Sequence, residues 1–271
     1  MSGPRGSAPR RRSAHAPTLW LILGALGAAL FVVPLVGLLL RTPWNRLPDL
    51  LASPVVIDAL RLSVVTSLSA TALSAVLGIP LAWLLARGEF PGKGLLRGVV
   101  TLPLVLPPVV GGAVLLFALG RRGLVGAPLA NATGLVLPFS LAGVVVATTF
   151  VSMPFLVIVV EGALRNLDRR YEEAAATLGA GPWSVIRRVT LPMISSSLIA
   201  GLVLTWARAF GEFGATITFA GNLQGRTQTL PLAVFVALES DRETAVAISL
   251  LMVAVALGVL LLLKDHWWAS R

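Results

Sequence analysis

The chain has 271 residues, of which 56% are hydrophobic and 13% are charged. Soluble domains carry roughly 25% charged residues, so this composition excludes the soluble classes and predicts an all-α integral membrane protein in a lipid bilayer. The formal net charge of +10 would suggest nucleic acid in a soluble protein, but here the basic residues lie mainly between apolar runs and indicate topology, with no nucleic-acid partner. The absence of cysteine excludes disulfides and thiolate metal sites.

Residues 1–17 are rich in Arg, Ser, Pro and Gly and are predicted to form a disordered basic tail in the cytoplasm. Residues 18–271 are predicted to form one transmembrane domain. A bilayer core about 30 Å thick needs roughly 20 apolar residues per helix. The chain contains about six such runs, at residues 18–40, 60–85, 99–119, 137–160, 192–210 and 245–263.

The distribution of basic residues favours one orientation of these spans. With the amino end in the cytoplasm, fourteen of the 22 Lys and Arg residues lie on the inner side. We therefore expect a multi-pass protein of the plasma or inner membrane, with its N-terminus in the cytoplasm.

The third predicted span is interrupted by helix-breaking residues. Pro103, Pro107, Pro108, Gly111 and Gly112 all fall inside its apolar run. Proline removes a backbone donor and kinks a helix, and irregular backbone at membrane depth is tolerated where it is buried or lines a path. Each proline can be explained as a packing kink, whereas the cluster favours a pathway role.

The connection between the fourth and fifth spans is the most polar long segment of the chain. Residues 171–178 are predicted to form a short helix that ends at Gly179, a residue suited to a left-handed cap. A second helical turn follows at residues 182–189. From the residues alone, this helix–turn–helix either packs under the bundle or presents a surface to a partner.

The spacing within this connection resembles a known signature. Glu173-Ala174-Ala175 is followed after three residues by Gly179 and, after nine more, by Val189, Leu191 and Pro192. This is similar to the motif of importer-type ABC transporter permeases, with valine where isoleucine is usual. The resemblance implies a type I ABC importer permease fold, in which residues of about 161–192, here called the coupling loop, dock onto a separate ATPase.

By that resemblance, eight residues are expected at or near the ATPase contact. They are Glu172, Glu173, Ala174, Ala175, Gly179, Val189, Leu191 and Pro192. Since the chain has no phosphate-binding loop, ATP and Mg are expected on the partner ATPase, present in two copies, with no cofactor, metal or catalytic residue in this chain. The resemblance also implies an extracytoplasmic solute-binding protein and a permease homodimer.

The segment from Gly211 to Asn222, with the Thr101–Gly111 stretch, is similar to the permeases for molybdate and tungstate. Sulfate or thiosulfate permeases share part of the pattern, so molybdate is the favoured solute and tungstate or sulfate the alternatives. The resemblance places translocation pathway or gate residues in these two segments. The candidates are Pro107, Pro108, Gly111, Gly211, Glu212, Phe213, Gly214, Thr216, Thr218 and Asn222.

Two of these candidates have structural alternatives. Glu212 follows Arg208 by four residues, so the two can pair on a helix, which makes Glu212 either a structural or gating anchor or a pathway contact. The glycines at 211, 214 and 221 serve either as gate points or as close-packing points between helices.

A secondary transporter is the rival from another class, because broken helices occur there too. It would need acids or histidines within the spans to couple ions, and the span centres contain almost none. An intramembrane enzyme is disfavoured because the two histidines, His15 and His266, lie near the chain ends.

Overall fold

The computed structural model describes residues 18–268, with side-chain burial for residues 18–261, and every regular element in this range is helical. The predicted tail of residues 1–17 lies outside the described residues. In chain order the helices are α1 (Thr18–Arg41), α2 (Leu47–Leu51), α3 (Pro54–Arg87), α4 (Lys93–Val105), α5 (Pro108–Leu119), α6 (Gly126–Thr133), α7 (Leu141–Asn166), α8 (Arg170–Thr177), α9 (Pro182–Val185), α10 (Leu191–Met193), α11 (Ser195–Phe210), α12 (Gly214–Phe219), α13 (Leu230–Ser240) and α14 (Arg242–Trp268). A π-helical turn, Ile186–Thr190, joins α9 to α10.

Within the described residues, α1 and Thr42 form a unit of their own, and residues 43–268 form the second unit. None of the residues of α1 is buried. The helix is apolar on all sides and 24 residues long, which is enough to cross a bilayer core.

Helices α3 and α7 pack along each other at the centre of the second unit. Ala70, Ser74, Gly78 and Ala82 recur every four residues on α3, and all four are buried. A Cβ atom on Gly78 would lie 3.2 Å from the Met153 side chain of α7. Small residues are favoured at such a seam because they let two helix backbones approach closely in lipid, where apolar burial gives little driving force.

Three apolar clusters hold the second unit together. One joins α3, α7 and the start of α11, a second joins α3, α11, α13 and α14, and a third joins α5, α7 and α12. Phe219 of α12 is fully buried in the third cluster. Helix α12 is therefore held inside the protein although it is only six residues long.

The predicted third span is broken, as expected from its prolines. Helix α4 ends at Val105 and α5 begins at Pro108, with Leu106 and Pro107 in extended conformation. The residue before a proline is disfavoured in the helical region, and neither proline can donate a backbone hydrogen bond. The two halves have 13 and 12 residues, so each is about 20 Å long or less and is too short to cross a bilayer alone.

The predicted fifth span is bent near its start. The segment Pro182–Met193 meets α11 at an angle of 77°. Pro192 was predicted as the first residue of the span, but it lies in α10, before the bend, and α11 itself begins at Ser195. The straight part of this span is therefore 16 residues long.

Helix α14 begins at a well-formed cap outside the membrane-spanning segment. The Asp241 carboxylate accepts hydrogen bonds from the Glu243 backbone N–H at 3.1 Å and from the Thr244 hydroxyl at 2.6 Å. These bonds, above all that from the Thr244 hydroxyl, hold the pKa of Asp241 below its usual value. A carboxylate at this position also complements the positive end of the helix dipole.

The fold confirms an all-α membrane protein with about six spans. Four helices of the described residues, α1, α3, α7 and α14, are long and apolar enough to cross a membrane, and the bent α11 segment makes a fifth. The broken pair α4–α5 corresponds to the remaining one, the predicted third span. Four shorter helices, α2, α6, α12 and α13, were not predicted.

Candidate functional site

The coupling loop contains the predicted short helix and its glycine cap. Gly179 follows α8 with φ of +87°, in the left-handed region. The Gly179 N–H donates to the Ala176 carbonyl at 2.9 Å, and the Ala180 N–H donates to the Ala175 carbonyl at 3.0 Å. This pair of bonds is the Schellman arrangement, in which glycine terminates a helix and satisfies its last carbonyls. The predicted left-handed cap is confirmed.

The coupling loop exposes large apolar side chains. Leu178 is 89% exposed and Trp183 is 71% exposed, and Tyr171 is exposed beside them. Glu173, Ala174, Gly179 and Pro192 are also exposed, whereas Ala175, Val189 and Leu191 are half-buried. An apolar and small-residue surface of this kind, on an otherwise polar connection, is typical of a partner interface.

Glu172 differs from Glu173 because its carboxylate is bound within the chain. Its Oε2 lies 3.2 Å from Arg87 Nη2, at the end of α3, and its Oε1 accepts a hydrogen bond from the Thr190 hydroxyl at 2.8 Å. Arg87 also donates to the Leu167 carbonyl at the end of α7. Glu172 therefore connects the coupling loop to the spans.

A second ionic group lies at the same end of α7. The Glu161 side chain is 8% exposed and forms an ion pair with Arg97 of α4, while Arg165 lies 3.8 Å away. Arg97 also donates to the Leu85 carbonyl of α3. These bonds join three helices beside the coupling loop.

The two candidate pathway segments meet in the interior. Helix α5, which follows the break in the third span, packs against α12. A Cβ atom on Gly112 would lie 2.7 Å from the Ala215 carbonyl oxygen and 2.8 Å from the Thr218 Cβ. A Cβ atom on Gly214 would lie 2.9 Å from Pro108 Cβ. The backbones of α5 and α12 therefore touch where glycine allows it.

Glu212 holds the start of α12 in place. Its Oε2 lies 2.6 Å from Arg208 Nη1, and its Oε1 accepts a hydrogen bond from the Ala215 N–H at 2.7 Å. The Glu212 side chain is 1% exposed, and that of Arg208 is 26% exposed. The predicted pairing with Arg208 is confirmed, and the second oxygen satisfies an N–H group at the helix start that would otherwise lack a partner.

Replacing Glu212 with alanine should destabilise the protein strongly. The change leaves Arg208 without its partner and the Ala215 N–H without its acceptor, and loss of one member of a buried pair costs about 3–5 kcal/mol. Thermal unfolding of the purified protein in detergent measures the effect. Glu239→Ala, at an exposed glutamate, is the matched control. Equal unfolding temperatures for the two variants would contradict the anchoring role of Glu212.

Among the described residues, buried polar side-chain atoms without hydrogen-bond partners occur on α3 and α7, at Ser74 and Ser152 for example, and also in and after α12. Those in and after α12 include the hydroxyls of Thr216 and Thr229 and the Asn222 side-chain oxygen. Buried polar groups are normally paired, so such atoms mark a place where a polar species or water can bind. Thr218, by contrast, donates its hydroxyl hydrogen to the Gly214 carbonyl of its own helix.

A cavity of about 560 Å³ opens at the other end of α5. It is lined by apolar residues together with Arg121 and Arg122, and by Phe139. Phe139 has φ of +58°, and its ring occupies the space where Gly221 has no side chain. Gly221, with φ of +73°, is therefore a close-packing point. Close packing was one of the two predicted alternatives for this glycine.

The structure places the predicted residues in two separate groups. The coupling set lies together in the coupling loop, and most of the pathway set lies at the contact of α5 with α12. Pro107 and Gly211 are exposed, Gly111 packs against the Phe150 ring, and the Phe213 ring lies tilted against that of Phe235. Three residues that form ion pairs beside the spans were not predicted: Arg87, Arg97 and Glu161. Their only signal in the sequence is a charged residue next to an apolar run.

Comparison with known proteins identifies the family. Residues 78–266 match the family described as "Binding-protein-dependent transport system inner membrane component". The chain is 49% identical over 251 residues to the "Molybdenum transport system permease protein ModB" of Mycobacterium tuberculosis, covering 91% of this chain and 95% of the relative. It is 34% identical to the "Probable sulfate transport system permease protein cysT" of Zygnema circumcarinatum, covering 90% of this chain and 87% of the relative.

The fold is also similar to that of a solved transporter. A chain from the crystal structure of a bacterial ABC transporter involved in the import of the acidic polysaccharide alginate superposes with a TM-score of 0.70 at 19% identity, covering 93% of this chain and 96% of that chain. At this identity the likeness concerns the fold alone. The family match and the identity to these relatives show that this chain belongs to the inner membrane components of binding-protein-dependent transport systems, the permease subunits of ABC importers.

Proposed function

We propose that this chain is the permease through which an ATP-driven importer moves molybdate into the cytoplasm. The observation that supports molybdate as the solute is a sequence identity. The chain is 49% identical to a molybdenum transport permease across 91% of its length, whereas its identity to a sulfate transport permease is 34%. The chain itself performs no catalysis in this proposal. ATP and Mg bind to two copies of a separate ATPase.

The coupling loop receives the ATPase. Leu178, Trp183 and Tyr171 provide exposed apolar area, and Ala174 and Gly179 let the partner surface approach closely. The loop is joined through a π-helical turn and a 77° bend to α11, so closure of the ATPases moves a span directly. Such rigid-body motion of spans around a fixed site is the usual basis of alternating access.

The anion passes beside the contact of α5 with α12. Helix α5 starts at a break in its span, and Thr216 of α12 contributes a buried hydroxyl group without a partner. A hydroxyl group can donate a hydrogen bond to an oxyanion, and this bond is weaker than one from a positively charged donor. Arg121 and Arg122 line the cavity at the far end of α5 and attract anions toward it.

The partners and the orientation follow from the same scheme. The N-terminus lies in the cytoplasm on the side of the coupling loop, an extracytoplasmic binding protein delivers the solute, and two copies of this chain form the pathway. The basic residues around the coupling loop support that orientation. Cross-linking that finds a single permease copy in the assembled complex would contradict the homodimer.

Uptake of molybdate into proteoliposomes tests the proposal. The vesicles contain this chain, its ATPase and its binding protein, and uptake is measured with and without ATP and with excess sulfate. We expect ATP-dependent molybdate uptake that resists sulfate. Tungstate is expected to compete, because it has the same charge and tetrahedral shape.

Two outcomes would change the proposal in different ways. Sulfate uptake in place of molybdate would keep the ABC mechanism and overturn the solute, an alternative that the 34% identity to a sulfate transport permease supports. Uptake that does not need ATP would instead indicate a secondary transporter.

A further inference from the structure

Within the coupling loop, helix α8 is bonded to α3 by an ion pair. Arg87 is the last residue of α3, Glu172 lies in the first turn of α8, and the Arg87 Nη2 to Glu172 Oε2 distance is 3.2 Å. Both side chains are shielded, at 9% and 18% exposure. A pair this shielded from water is screened less by salt than an exposed pair.

The same two side chains reach two further elements. Arg87 Nη2 donates to the Leu167 carbonyl at 3.2 Å, and Leu167 is the residue that ends α7. The Thr190 hydroxyl, in the π-helical turn that leads to α11, donates to Glu172 Oε1 at 2.8 Å. Four elements, α3, α7, α8 and the turn before α11, therefore meet at one guanidinium–carboxylate pair.

Helix α8 contributes no residue to the buried core. The helix packs against α9 and the π-helical turn of the same loop. The outer side of α8 carries Glu173 and Ala174, which are exposed. Adjacent residues of a helix point about 100° apart, so Glu172 faces the spans while Glu173 faces outward. The ion pair is the bond that links α8 to α3 among the described contacts.

We propose that Arg87 and Glu172 form a joint that transmits the movement of α8 to α3, so that ATP hydrolysis is converted into opening of the pathway. This inference rests on the proposed function. Both are positioning residues: neither touches solute or nucleotide. The α3–α7 seam then carries the movement into the core, because its small residues pack the two helices as one body.

A charge-swap cycle tests the joint in the full transporter complex. Arg87→Glu, Glu172→Arg and the double variant are reconstituted with the ATPase and binding protein, and the measured quantity is solute transported per ATP hydrolysed. Each single variant is expected to lower this ratio by at least about tenfold, within the usual range of coupling between sites. The double variant restores the opposite charges but not the donor to the Leu167 carbonyl, so it is expected to recover part of the lost ratio.

The matched control is an exposed pair of the same residue types. Arg46 and Glu243 form an ion pair with side chains 60% and 47% exposed, and exposed pairs contribute little. Reversing both of its charges is expected to leave the ratio unchanged. Copurification of the ATPase with the Arg87 variant shows whether the ATPase is still bound. If it is bound, a lowered ratio reports a loss in the transmission of movement from α8 to α3.

Three outcomes decide the inference. Single variants with the wild-type ratio would overturn the joint, as would a double variant as defective as the singles. If the reversed variants do not fold, Glu172→Gln keeps the side-chain size and an acceptor for Thr190, and a wild-type ratio for it would equally overturn the joint. A wild-type complex that takes up no oxyanion with ATP would instead overturn the proposed function.

Discussion

Gly112→Ala is expected to abolish most transport and to lower the unfolding temperature. The added Cβ atom would lie 2.7 Å from the Ala215 carbonyl oxygen and 3.0 Å from its Cα, so α5 and α12 must move apart. Overpacking of this kind costs about 1–3 kcal/mol, which corresponds to roughly 2–12 °C in a domain of this size. Because Glu212, paired with Arg208, also binds the Ala215 N–H at the start of α12, a shift of α12 strains these bonds as well.

Gly111→Ala is the matched control for this prediction. Gly111 is the neighbouring residue on the same helix and is also buried, but its Cβ atom would meet only the Phe150 ring, at 3.3 Å. A side-chain ring can shift by a few tenths of an ångström, whereas a backbone carbonyl in a packed helix cannot. Uptake and thermal unfolding are measured for both variants. Equal effects would contradict the close approach of α5 and α12 as the cause.

The features that were predictable from the sequence are local ones. The left-handed cap at Gly179 follows from a glycine placed directly after a helical run, and the break at Leu106–Pro107 follows from two successive prolines. The Arg208–Glu212 pair follows from a spacing of four residues on a helix. Each of these depends on residues a few positions apart, which the sequence displays directly.

The features that were missed depend on distant pairs. Arg87 and Glu172 are 85 positions apart, and Arg97 and Glu161 are 64 apart, so only the folded chain reveals that they pair. Helix α13 was missed because it has 11 residues and begins directly after a buried turn, where its first N–H is bound by the Ser63 hydroxyl of α3. That stabilisation comes from a tertiary contact, and helices this short are marginal without one.

Gly179→Asp is expected to lower ATP-driven uptake by at least about tenfold while the permease still folds. No atom lies within 4 Å of the position of an added Cβ atom, so the side chain causes no clash within the chain. The φ of +87° adds strain of about 1–2 kcal/mol, and aspartate tolerates this conformation better than most residues. The main effect is therefore outside the chain: a carboxylate placed on the surface that the ATPase must contact.

Gly181→Asp separates this contact from a general effect of charge. Gly181 is equally exposed and has open space around it, but its φ is −66°, and it lies two residues further along the loop. Uptake, unfolding temperature and copurification of the ATPase are measured for both variants. If only the Gly179→Asp variant fails to copurify with the ATPase, then the left-handed turn at Gly179 positions the contact. Equal losses for the two variants would mean that the whole loop tolerates no added charge. A Gly179→Asp variant with normal uptake would place the ATPase contact elsewhere.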